Sequence, residues 1–149
     1  MIVVLDECTP FNVDKEYTAA SMHRSHRWAL RSLEEFTRTD TGKQALYGII
    51  QGGVYEGTWD IYIFNIEILS CTRYNLNSYL FLLDLRDVSA DFMNKTPFFG
   101  IAIGGSLGAT KENMHHIVKY TRSKIREDKP IHLLGIGGIR DIFHGSVYS

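Results

Sequence analysis

Short aliphatic or β-branched runs alternate along the chain with longer stretches whose apolar residues recur at helical spacing. The runs are Ile2-Val3-Val4-Leu5, Tyr47-Gly48-Ile49-Ile50, Ile101-Ala102-Ile103 and Leu133-Leu134-Gly135-Ile136. Each reads as a strand. After the first, Pro10 breaks any regular element, and Asn12 or Asp14 is placed to cap a helix. In that helix Ala19, Met22, Ala29, Leu33 and Phe36 form one stripe, with His26 on the same line. The stripe faces a core, and His26 reads as a hydrogen-bonded structural histidine rather than a catalyst. Thr39-Asp40-Thr41-Gly42-Lys43 is a loop, and the second strand starts at Ala45.

Further on, a strand over 99–103 precedes a helix capped by Thr110, whose Met114, Ile117, Val118, Thr121 and Ile125 share a face. Glu127-Asp128-Lys129-Pro130 is a turn that delivers a strand over 131–136, and Asp141-Ile142-Phe143 begins another helix. Strand–helix alternation of this kind predicts right-handed β-α-β units and a parallel α/β fold. The strands end in Asp6-Glu7-Cys8, Gln51-Gly52-Gly53, Gly104-Gly105 and Gly137-Gly138. In parallel α/β folds such ends converge on the ligand. A carboxylate, a carboxamide and exposed backbone N–H groups suit a flat, polar heterocycle better than a metal or an apolar ligand.

Composition narrows the picture. At 149 residues the chain is at most one domain, with 44% hydrophobic residues to build a core. A closed (β/α)₈ barrel takes ~250 residues, more than are present. The net charge of −1 gives no general drive toward nucleic acid. Arg24, Arg27 and Arg31 read as a solvated helix face in preference to an RNA contact. Cys8 and Cys71 stand alone, so neither a disulfide framework nor a metal site is encoded. Met1-Ile2-Val3-Val4 lacks the basic start of a signal peptide, and no apolar stretch has the length of a membrane span. The expected setting is cytoplasmic.

The ordered motifs carry a resemblance. Val4-Leu5-Asp6-Glu7-Cys8-Thr9-Pro10-Phe11, Ala45-Leu46-Tyr47-Gly48-Ile49-Ile50-Gln51-Gly52-Gly53-Val54-Tyr55, Ile101-Ala102-Ile103-Gly104-Gly105 and Leu133-Leu134-Gly135-Ile136-Gly137 resemble the middle of a tRNA-guanine transglycosylase. The resemblance implies a partial TIM barrel over 1–149, made of consecutive middle βα units. It implies an enzyme class that exchanges guanine in tRNA for queuine or a 7-deazaguanine precursor, with tRNA and the base as partners, in a homodimer or heterodimer. This chain would supply the base pocket. The alternative is a non-catalytic accessory subunit of a heterodimer.

By position, the resemblance places Asp6, Gln51 and Gly105 on the base, with Gly104, Cys8 and Leu134 beside it. The chemistry fits. A carboxylate accepts from guanine N1–H and the 2-amino group together, whereas an amide N–H donates to O6 or N7. A base lacking the matching groups leaves a buried polar atom unpaired, at ~1–3 kcal/mol. Gly135, Gly137 and Arg140 fall in a segment that meets tRNA in the family. Gly138-Ile139-Arg140 and Ser106-Leu107-Gly108-Ala109-Thr110 depart from the common family pattern, which leaves the incoming base open. The family's two catalytic aspartates and its zinc ligands have no counterparts here, so no catalytic residue and no metal ligand is assigned, and the chain alone is expected to be inactive. Residues 57–83 interrupt the match with an Ile-, Leu-, Tyr- and Asn-rich stretch. They read as a retained intron or as a genuine insertion.

Overall fold

The computed structural model describes residues 1–54 and 85–146. The expected insertion over 57–83 lies outside them. The elements run β1 (Ile2–Val3), α1 (Lys15–Thr39), β2 (Leu46–Ile50), α2 (Leu85–Lys95), β3 (Gly100–Ile103), α3 (Lys111–Lys124), β4 (Ile131–Leu133) and α4 (Ile139–Ser146). All four strands are parallel and lie in chain order, β1-β2-β3-β4. Right-handed crossovers that always step the same way put their helices on one face of the sheet. Accordingly α1 and α2 both pack on β2, and α2 packs between α1 and α3.

The local signals act as expected. Asp14 caps α1 by accepting from the Tyr17 amide at 2.7 Å, and Thr110 caps α3 by accepting from the Asn113 amide at 3.2 Å. Met22, His26 and Ala29 are buried on the α1 stripe, and Leu33 and Phe36 pack against the core beside it. On α3 the buried face is Ile117, Val118 and Thr121, continued by Ile125.

Two strands are shorter than the sequence suggests. At β1 the ladder reaches one further bond, from the Val4 amide to the Tyr47 carbonyl at 3.0 Å, and Leu5 is already exposed. At β4 the Leu134 amide still bonds Ile103 O at 3.2 Å, but Gly135 turns the chain away with φ +72°. A left-handed residue cannot continue a strand.

The two faces of the sheet are built differently. A Cβ at Gly48 would strike Met93 and Phe98 at 2.6 Å, so this position lies directly beneath α2. Phe98, Met93, Ile50, Ile101 and Ile103 are fully buried in the core. Each contributes about 1.5–3 kcal/mol relative to exposure. On the opposite face the glycines that begin and follow β3 accept large neighbours: Gly100 faces the Tyr47 ring, and a Cβ at Gly104 would lie 2.8 Å from Ile49. Small residues on and just after β3 thus interleave with large ones on β2. Among the described residues, no helix is long and apolar enough to cross a membrane.

Candidate functional site

The loop after β1 is fastened to α1. The Glu7 amide donates to Ser25 Oγ at 2.9 Å, while its carboxylate accepts from the Tyr17 hydroxyl at 2.9 Å and from Arg24. The Tyr17 hydrogen bond, then Arg24, holds the Glu7 carboxyl below its ordinary range. Arg24, read from sequence as part of a solvated face, therefore anchors this loop. The anchoring sets Asp6 at the rim, half-buried.

Asp6 meets Gln51 across the gap between the β1 and β2 tips. Gln51 Nε2 donates to Asp6 Oδ2. Burial raises the Asp6 pKa above its ordinary value, opposed by its own backbone hydrogen bond and by Gln51. Gln51 is 1% exposed, and its Oε1 has no hydrogen-bond partner among the described residues. With its nitrogen turned to the carboxylate, the amide presents a buried acceptor, the reverse of the donor role expected from sequence. Gly105 closes this side: its φ is +76°, and a Cβ there would lie 2.6 Å from Gln51 Oε1. Only glycine lets the main chain come so near.

Behind Gln51 a buried polar chain runs into the helices. The Gln51 backbone N–H donates to Ser89 Oγ at 3.1 Å, and Ser89 Oγ lies 3.1 Å from His26 Nε2. The His26 ring stacks on Phe92 with centroids 4.1 Å apart. Burial, then the neighbouring His23, lowers the His26 pKa to about 4. The ring is neutral at pH 7 and hydrogen-bonds the serine hydroxyl, the structural role expected of it. Protonation favours the unfolded chain between its ordinary pKa of 6.5 and about 4. The stability that His26 lends is therefore complete above pH 6.5 and is lost as pH falls through that window, to a total of about 3 kcal/mol. In urea titrations at pH 7 and pH 4.5, His26→Gln should narrow the difference between the two stabilities. An unchanged difference would show that another group carries the acid sensitivity.

Leu134 lies beside Gly104: its Cδ1 would lie 3.3 Å from a Cβ there. Cys8 is exposed. Gly135, Gly137 and Arg140 are exposed after β4. Asp141, not foreseen as a site residue, is buried and holds this segment. It accepts from His115 Nε2 at 3.0 Å and from Lys111 at 3.4 Å, and those partners, His115 first, keep its pKa low. A Cβ at Gly138 would lie 2.6 Å from its Oδ2.

Sequence reasoning also missed Arg86. It is fully buried at the start of α2, with Nε donating to Gly53 O at 2.6 Å and Nη2 to Gly104 O and Ser106 O at 3.1 Å each. Its place on the stripe of Ser89, Ala90 and Met93 was the available signal. A separate cavity of about 550 Å³, lined by Ile103, Val118, Ile131, Leu133 and Ile142 among others, shares none of the rim residues. Its wall is mainly apolar, with Arg122, Glu127, Lys129 and Asp141 also among its lining residues. Among the described residues no three His, Cys, Asp or Glu side chains are placed to hold a metal ion.

The family model described as queuine tRNA-ribosyltransferase matches residues 1–79 and 81–147. The queuine tRNA-ribosyltransferase of Aliivibrio fischeri (strain MJ11) is 38% identical over 146 residues, covering 97% of this chain and 32% of that protein. The same figures hold for that of Aliivibrio salmonicida (strain LFI1238). A putative queuine tRNA-ribosyltransferase of Archaeoglobus fulgidus is 37% identical over 144 residues, covering 97% of this chain and 28% of its own length. The chain spans about a third of the length of these curated relatives.

Proposed function

The chain belongs to the queuine tRNA-ribosyltransferase family, and from that premise we propose that its rim of strand tips binds the guanine-type base that such an enzyme exchanges in tRNA. One observation carries the reading: Asp6, Gln51 and the Gly104-Gly105 turn converge at the same rim, where the buried Gln51 Oε1 has no hydrogen-bond partner among the described residues. Buried polar atoms without partners are rare, and a ligand N–H is what would satisfy this one.

The chemistry follows from the groups. Ionised Asp6 accepts from N1–H and the 2-amino group of guanine. Gln51 Oε1 adds an acceptor on the same side, and the Gly105 amide is the donor for O6. Leu134 offers an apolar edge for the ring. Adenine places a lone pair at N1, where guanine has a proton, and so sets an acceptor against the Asp6 carboxylate. The fold reading deepens accordingly. Strands in chain order with their helices on one side are the arrangement of a (β/α)₈ barrel, and four of them make half of one. The exposed Gly135, Gly137 and Arg140 then face tRNA, in a cytoplasmic enzyme assembled as a homodimer or heterodimer. Zinc, which the family resemblance implies, has no set of ligands among the described residues, and nothing in base recognition is assigned to it.

Equilibrium dialysis of the chain against labelled guanine, with adenine as competitor, tests the reading. Guanine should be retained and adenine should compete at least ~100-fold more weakly. Equal competition by the two bases would refute it.

A further inference from the structure

Arg86 is an unusual residue to find wholly out of water. Arginine is almost never fully buried unless its charge is satisfied. Here the guanidinium spans the tips of two strands. Its Nε holds the Gly53 carbonyl, two residues beyond Gln51, and its Nη2 holds the Gly104 and Ser106 carbonyls on either side of Gly105. Gly52 lets the start of α2 come this close to the β2 tip: a Cβ there would lie 2.7 Å from the Arg86 backbone nitrogen.

The bond to Gly104 has a directional consequence. The Gly104 carbonyl and the Gly105 N–H belong to one peptide plane. None of the described peptide bonds is cis, and in a trans peptide these two groups point in opposite directions. Holding the carbonyl toward Arg86 therefore turns the Gly105 N–H away from it. A cationic donor on the carbonyl also polarises the same peptide and makes its N–H the stronger donor. The second bond, to Ser106 O, fixes the far side of the turn.

We propose that Arg86 is a positioning residue for base recognition: its guanidinium aims and strengthens the Gly105 N–H that meets O6 of the base. The inference rests on the base-binding reading above. Lysine keeps the charge but lacks the planar fork that reaches three carbonyls. The test compares guanine with 6-thioguanine, which keeps N1–H and the 2-amino group but replaces O6 by a weak acceptor. In equilibrium dialysis, Arg86→Lys should weaken guanine about tenfold and 6-thioguanine by much less. A merely structural role would weaken both ligands alike, and that result overturns the proposal, as does an unchanged guanine affinity. Failure of the unmodified chain to bind either base overturns this inference together with the reading beneath it. Binding by the unmodified chain with equal losses in the variant overturns the inference alone. A second measurement needs no variant and decides the matter if Arg86→Lys does not fold. In ¹⁵N-labelled unmodified chain, guanine should shift the Gly105 amide proton downfield together with the Arg86 side-chain N–H resonances, and 6-thioguanine should shift them less. A Gly105 amide that guanine leaves in place overturns the proposal.

Discussion

Replacing Asp6 by alanine is expected to lower guanine affinity roughly 30- to 700-fold, the equivalent of ~2–4 kcal/mol for a charge-assisted pair of hydrogen bonds. Alanine leaves N1–H and the 2-amino group without an acceptor, and it also frees the Gln51 amide from the carboxylate that orients it. Asp6→Asn should weaken binding severely without abolishing it, because an amide keeps one acceptor and presents a donor to a donor. Gln51→Ala should cost less, since water can take over part of a neutral contact. Calorimetric titration gives all three affinities, and an Asp6→Ala value within twofold of the unmodified chain would refute the assignment. The pH dependence is a second signature. Burial raises the Asp6 pKa above 3.8, so the ionised form that binds the base is lost at a higher pH than for an ordinary aspartate. Guanine affinity should fall as pH decreases through that raised value, and the fall should vanish in Asp6→Asn. The contribution to folding has the opposite sign. A raised carboxyl pKa means stability that is complete below the unfolded value and declines as pH rises through the folded one.

The second large effect is structural. Gly52 has φ +131°, and a Cβ on it would lie 2.7 Å from Arg86 N and 2.8 Å from Leu85 C. Both are backbone atoms at the start of α2, so no rotamer change relieves the clash. Gly52→Ala should destabilise the chain by roughly 3 kcal/mol, from left-handed strain together with overpacking. Gly42 supplies the control. Its φ is +75° but nothing lies within 4 Å of a Cβ, so Gly42→Ala carries only the conformational penalty of about 1 kcal/mol. Urea denaturation of the two variants separates the terms. Equal losses would mean that α2 is free to move away from the β2 tip, contrary to the packing described.

These sites differ in how far the sequence revealed them. The helix faces, the caps at Asp14 and Thr110, and the strand-tip glycines were legible because each rests on residues within a turn or two of one another. The membership of the rim was legible too, since parallel strands deliver their C-terminal ends to one side. What each rim group does was less so. Gln51 turns its nitrogen to Asp6, 45 residues away, and no local pattern encodes that pairing. Arg86 was passed over because a charged residue on a helix is ordinarily solvent-facing, whereas here three carbonyls from two loops replace water. Asp141 was passed over as part of a helix start for the same reason: its partners His115 and Lys111 lie on another helix. The ends of β1 and β4 were overestimated because apolar residues continue past the last ladder bond, and in β4 a positive-φ glycine, not hydrophobicity, ends the strand.

A crystal structure of the chain with guanine tests the central claim most directly. The base should lie at the rim with N1 and the 2-amino nitrogen within hydrogen-bond distance of Asp6, O6 on the Gly105 amide and the ring edge against Leu134. A base seated in the apolar cavity between β4, α3 and α4, or one at the rim with its N1 edge turned away from Asp6, would contradict the account.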